Sequence, residues 1–203
     1  MKIYIDFDGT IYNTDKLNQN FINIFIKQNI PLNYIKNLIN KYKDFDYISN
    51  KLIKEYNLSK NTKEEVDNLY SDDITYKDTI NFLKQYYKKH NLILLTYSNN
   101  KEYQQKKINS SNLSKYFKDI IITNKDKSKL DNIDYINGIF VDNNPIELKK
   151  FYNSKATKLI RIKRNTDKYS KLILDIENIP EFISFKELTE SNYINKIGEI
   201  NYE

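Results

Sequence analysis

Two aspartates two residues apart, Asp6 and Asp8, leave the short β-branched and aromatic run Lys2–Ile5 and are followed by Gly9 and Thr10. A carboxylate at a strand end can attack an electrophile held at the sheet edge. A second one, two residues on, can reach toward the leaving group and give or take a proton. Two carboxylates this close repel each other unless a cation lies between them, and oxygen ligands of this kind suit Mg²⁺. Gly9 is one of only three glycines in the 203-residue chain, and glycine permits the tight turn such a loop needs. The same short pattern also occurs in acidic surface turns, so other strand ends must supply the rest of any site.

The pattern of apolar residues predicts those strand ends. Leu92–Leu95, Ile120–Ile122 and Gly138–Val141 are continuous apolar runs of the kind expected in strands covered on both faces. Lys158–Ile162 predicts a further strand, and Phe182–Phe185 a short edge piece. Between the first and second strands the spacing turns helical. Leu17, Phe21, Ile24 and Phe25 form one apolar set. Ile35, Leu38, Ile39 and Tyr42 form a second, and Ile48, Leu52, Ile53 and Tyr56 a third. Thr62 with Glu65 resembles a capping box that would open a fourth helix. Later helices are expected around Ile80–Tyr87, over residues 101–109, and from Asn144-Pro145, with Asn144 as N-cap. Strands alternating with helices predict an α/β fold, a doubly wound, Rossmann-like parallel sheet. Ligands bind such sheets beyond the carboxyl ends of the strands. Polar residues do follow the apolar runs there: Asp6 and Asp8, then Thr96 to Asn99, then Asp142-Asn143.

Asp6-Phe7-Asp8-Gly9-Thr10 after an N-terminal strand resembles motif I of the haloacid dehalogenase (HAD) superfamily. The later motifs of that family fall in order along nearly the whole chain. The resemblance implies that Asp6 is the nucleophile and Asp8 the acid/base. Thr96 corresponds to motif II and would hydrogen-bond a phosphoryl oxygen; Ser98 is the alternative, two positions further out. Gly9, Thr10, Ser98 and Asn99 are the residues expected against the substrate. Motif III is a lysine, with Lys125, Lys127 and Lys129 as candidates; Lys127 is preferred because an Asp-Lys pair opens a helix in similar proteins. Motif IV corresponds to Asp142-Asn143, a departure from the commoner Asp-Asp pair. The implied metal is Mg²⁺, held by Asp6, by Asp8 through its backbone carbonyl, and by Asp142 and Asn143.

The resemblance also implies a helical cap inserted at residues 14–73 of a core formed by 1–13 and 74–203. The expected activity is a Mg²⁺-dependent phosphohydrolase that passes through an aspartyl-phosphate. Its substrate would be a small phosphorylated metabolite of the nucleotide or sugar phosphate class. A phosphomutase and a catalytically weak phosphate-binding regulatory protein are the alternatives. Aspartate at position 8 favours phosphate chemistry over dehalogenation. Tyr12, Tyr47 and Tyr97 could stack on a base or sugar, although most of the 18 tyrosines are needed for packing.

Composition narrows the classes. With no cysteine there is no disulfide, zinc–thiolate site or thiol nucleophile, and with His90 as the sole histidine there is no Ser-His-Asp triad. His90 reads as structural. The net charge is +6. The lysines alternate with acidic residues rather than forming a stripe, which argues against nucleic acid as a partner. No run approaches the roughly 18 apolar residues of a membrane span, and Asp6 and Asp8 interrupt any N-terminal apolar core. A cytoplasmic protein without a membrane partner is expected.

Overall fold

The computed structural model describes residues 1–42, 44–124, 129–132, 138–153 and 157–200. Six strands form one parallel sheet: β1 (Lys2–Ile5), β2 (Asn91–Tyr97), β3 (Asp119–Thr123), β4 (Gly138–Asp142), β5 (Thr157–Ile162) and β6 (Glu181–Phe182). Their spatial order is β3-β2-β1-β4-β5-β6. The order runs outward from β1 to β3 on one side and then restarts with β4 on the other, so the topological switch point lies between β1 and β4. Such a point leaves a crevice at the carboxyl ends of the two strands. Ile5 pairs with Leu94 of β2 and with Val141 of β4, and Asp6 N–H donates to the Val141 carbonyl (2.9 Å). This register brings Asp6, Asp142 and the end of β2 to one edge of the sheet.

The strands nearest the middle follow the apolar runs of the sequence. Leu94, Leu95, Ile139, Phe140 and Val141 are fully buried. β3 departs from expectation. Ile120, Ile121 and Ile122 are only half-buried, because β3 is the edge strand and lacks a neighbour on one side. The edge piece expected at Phe182–Phe185 is the two-residue β6, which leads into α8 (Phe185–Glu190), and α9 (Tyr193–Ile200) follows.

Between β1 and β2 lie α1 (Thr14–Ile26), α2 (Leu32–Tyr42), α3 (Phe45–Glu55), α4 (Lys60–Asn68) and α5 (Lys77–Tyr86), with one 3-10 turn at Leu69–Ser71. The apolar spacing explains why these segments stay helical in the fold: Leu17, Phe21, Ile24, Phe25, Ile35, Leu38, Ile48 and Leu52 all point inward. Helix α4 starts two residues before the expected capping box. Ser59 is its N-cap, and Thr62 is buried one turn in rather than capping. With so few glycines available, asparagine closes several helices. Asn29, Asn57, Asn112 and Asn192 follow the ends of α1, α3, the helix α6 (Lys101–Ser110) and α8, and all have positive φ. The helix between β4 and β5, α7 (Pro145–Asn153), opens as expected, with Asn144 Oδ1 accepting from Ile146 N–H (3.0 Å).

Leu94 sits at 0% exposure in the middle of β2, and Ile173 at 85%. Chemical denaturation should therefore show Leu94→Ala losing about 2–5 kcal/mol of stability, against a change within about 0.5 kcal/mol for Ile173→Ala.

Candidate active site

The β1–α1 loop turns sharply after Asp6. Gly9 has φ +81°, and a Cβ there would fall on the Asn143 amide nitrogen and lie 3.1 Å from Asp167 Oδ2. Only glycine meets both conditions, so the loop is held against the end of β4. Thr10 is fully buried behind it. The Thr10 hydroxyl has two acceptors within reach, Asp6 Oδ2 (3.1 Å) and Asn143 Oδ1 (3.2 Å), while it accepts from Asn143 N–H (3.0 Å). One hydroxyl carries one hydrogen. It serves one of these two oxygens at a time and leaves the other free to face a cation.

Lys129 is the central cation. Its ammonium donates to Asp6 Oδ1 (2.6 Å) and to Asp142 Oδ2 (2.9 Å), and the three side chains are 7%, 6% and 0% exposed. Burial opposes the charge on Lys129, but Asp142 and Asp6 together outweigh it and raise its pKa. Burial, and then the charge of Asp142, push the Asp6 carboxyl up to about 7, with Lys129 pulling the other way. Asp142 is raised by burial and eased down by Lys129 and by the Asn144 N–H, which donates to its Oδ1 (2.8 Å). Asp6 and Asp142 thus crowd a single ammonium at the switch point.

Asp8 faces a different group. Its Oδ1 accepts from Lys107 Nζ (2.6 Å) and from the Thr14 hydroxyl (3.2 Å), and its Oδ2 from Gln104 Nε2 (2.7 Å). Burial alone would raise its pKa, but Lys107, with Gln104 and Thr14, holds it below the usual carboxylate range. Gln104 and Lys107 lie one turn apart on α6, and both are buried. The amide of Gln104 also donates to Thr96 Oγ1 (2.9 Å), which leaves the Thr96 hydroxyl hydrogen free for another acceptor. Thr96 is 1% exposed.

Of the residues expected from sequence, Asp6, Thr10, Asp142 and Asn143 converge directly. Asp8 and Thr96 are joined to each other through Gln104, and the charge of Asp8 is felt at Asp6, whose pKa it helps to raise. Ser98 and Asn99 are spent locally. The Ser98 hydroxyl donates to the Asn100 carbonyl (2.8 Å), and Asn99 Oδ1 accepts from the Tyr97 hydroxyl (2.7 Å). Lys125 and Lys127 lie outside the described residues; Lys129, the third candidate, is the lysine seen against both carboxylates. Tyr12 is fully buried and stacked on Phe7, whereas Tyr47 and Tyr97 are exposed. Gln104, Lys107 and Asp167 were not expected. In a lysine-rich chain nothing local separates Lys107 from its solvated neighbours.

The donor set can be weighed against the Mg²⁺ that the sequence implies. Among the described residues no three acidic or histidine side chains converge as a cluster. The oxygens of Asp6, Asp142 and Asn143 do converge, with a hydroxyl hydrogen too few between Asp6 and Asn143. This fits Mg²⁺, which binds through one or two carboxylates and takes the rest of its shell from water and phosphate.

No protein-family model matches the chain, and no curated protein matches it. Solved structures do. A protein described as a haloacid dehalogenase-like hydrolase from Burkholderia xenovorans LB400 is 15% identical over 93% of this chain and 94% of its own, with a TM-score of 0.69. One described as a beta-phosphoglucomutase from Thermotoga maritima is 12% identical over 94% and 97%, with a TM-score of 0.67. The HAD-hydrolase YfnB from Bacillus subtilis, bound to magnesium, is 14% identical over 95% and 98%, with a TM-score of 0.62. At these identities the likeness establishes the architecture: the chain has the haloacid dehalogenase-like fold.

Burial and the charge of Asp142 raise the Asp6 carboxyl in the folded, metal-free protein from its ordinary value of 3.8 to about 7. Its contribution to stability is therefore complete below the lower value and is lost as pH rises through the upper one. Unfolding free energies of the metal-free protein should fall across that window, and Asp6→Asn should flatten the fall. Gly9→Ala should cost about 1–2 kcal/mol from the left-handed backbone alone, more once the overlap with Asn143 is added, as measured by urea denaturation.

Proposed function

We propose that this chain, on its haloacid dehalogenase-like fold, is a Mg²⁺-dependent phosphohydrolase acting on a small phosphorylated metabolite of the nucleotide or sugar phosphate class. The observation that carries the reading is the buried Asp6 carboxylate at the switch point, hydrogen-bonded to Lys129 and neighboured by Asp142 and Thr10. A carboxylate there can attack phosphorus in line while a fixed cation balances the charge gathering on the phosphoryl oxygens.

In the first step an Asp6 oxygen bonds to phosphorus, and the bond from phosphorus to the leaving oxygen breaks. Lys129 and the free hydroxyl hydrogen of Thr96 hold phosphoryl oxygens, where the transition state spreads its charge. In the second step a water oxygen attacks the phosphorus of the aspartyl-phosphate, its proton goes to Asp8, and Asp6 is released as carboxylate. Asp8 then yields that proton to solvent, which balances the one taken up by the alkoxide released in the first step and restores the resting carboxylate. Asp8 rests as a carboxylate against Lys107, so it is ready as a base. The first step then runs most readily with leaving groups that depart as stable anions. Mg²⁺, bound by Asp6, the Asp8 carbonyl, Asp142 and Asn143, would supply further neutralisation of the phosphate charge.

Residues 14–73 are read as the cap. The hydroxyl of Tyr103 on α6 donates to Asp46 of α3 (3.0 Å), whose carboxylate also takes Lys63 of α4 (2.9 Å). This latch supports an insert that rests against the core helix next to Asp8 and excludes water from the site. The neutral Asn143, together with an ammonium already bridging the two carboxylates, motivates a second reading: a phosphate-binding regulatory protein.

Wild-type protein with Mg²⁺ should hydrolyse an aryl phosphate, and Asp6→Asn should fall below detection in the same phosphate-release assay. Equal activity in both would remove Asp6 from its role. Phosphate and Mg²⁺ bound without turnover of any ester would favour the regulatory reading.

A further inference from the structure

At position 143 the ligand oxygen belongs to an amide, which carries no charge and can turn its nitrogen toward a cation instead. The surroundings of Asn143 remove that freedom. Its Nδ2 donates to Asp167 Oδ2, and its Oδ1 faces the Thr10 hydroxyl (3.2 Å), on the side of Asp6. Reversing the amide would point Oδ1 at a carboxylate. Asp167 is itself fixed. It is 5% exposed, its Oδ1 accepts from Tyr169 N–H (3.0 Å), and its own N–H donates to the Arg164 carbonyl (3.2 Å). The loop that carries it, which follows β5, is tied to the end of β4. Arg161 donates through Nη2 to the Tyr169 carbonyl (2.7 Å) and through Nε to the Asn143 carbonyl (3.4 Å).

We infer that Asp167 is the positioning carboxylate of Asn143: it locks the amide with its oxygen toward Asp6, and the two side chains together stand in for a single acidic metal ligand. Polarisation by a carboxylate behind a ligand raises the basicity of the ligating atom and fixes its orientation. The charge is thus kept near the cation but moved one residue back. This rests on the reading that the site holds a divalent cation.

The test is a charge swap read by Mg²⁺ binding without substrate. Calorimetry and thermal melting would compare metal-depleted wild type with Asp167→Ala, Asn143→Asp, Asp167→Asn and the double variant Asn143→Asp/Asp167→Asn. Asp167→Ala should weaken Mg²⁺ binding by about 10–100-fold. Asn143→Asp sets two carboxylates face to face and should lower the metal-free melting temperature. The double variant restores a carboxylate–amide pair with donor and acceptor exchanged; it should regain the wild-type melting temperature and bind Mg²⁺ at least as tightly. Wild-type affinity in Asp167→Ala, strictly additive effects in the double variant, or a wild type that binds no Mg²⁺ would each overturn the assignment. An intact cycle in a protein that turns over no phosphate ester upholds it and overturns only the phosphatase reading.

Discussion

An ammonium group between two buried carboxylates, at the point where the strand order reverses, sets the terms for everything around it. Asp6 and Asp142 are each carried there by a central strand. Neither could remain ionised in that environment alone, since desolvation of a buried carboxylate costs several kcal/mol. Lys129 answers both at once. The arrangement is also unfinished as a structural ion pair, because two carboxylates share one positive charge. That residual charge is what a divalent cation, or the cation-plus-phosphate pair of a substrate complex, would complete.

The loop geometry follows from the same constraint. Asp6 can sit at the strand end only if the chain turns away at once, and Gly9 provides the turn in a backbone region that side chains disfavour. Thr10 then fills the space beneath Asp6 and ties it to the backbone of Asn143. Asp8, two residues on, is directed to α6 rather than to Lys129. The two aspartates of the motif therefore live in opposite environments. One is pushed toward its neutral form by burial and a like charge, and the other is held ionised by its own lysine. Divergent settings for neighbouring carboxylates are how acid, base and nucleophile roles are kept apart.

The legible part of this site was the part written in contiguous residues. Asp6, Asp8, Gly9 and Thr10 form one short string, and the apolar runs that precede Thr96 and Asp142 are strong enough to mark strand ends from sequence alone. The choice among Lys125, Lys127 and Lys129 was not legible. It turns on which side chain reaches the buried carboxylates, and sequence spacing carries no such distance; Lys129 is the one seen there. Gln104, Lys107 and Asp167 were invisible for a related reason. Each acts through a partner 24 to 99 residues away in the chain. The early start of α4 was missed because Thr62 is wanted in the core, so tertiary burial overrode a plausible local cap.

One hydrogen bond has a mechanical meaning. Thr14 is the first residue of α1, yet its hydroxyl is spent on Asp8 rather than on the helix. On its far side the same carboxylate is gripped by α6, whose Tyr103 also reaches α3. The aspartate is thus strung between the first residue of α1 and the helix α6. Tilting α1 against α6 would stretch one tether or slacken the other, so the relative posture of the two helices is registered at a single pair of oxygens.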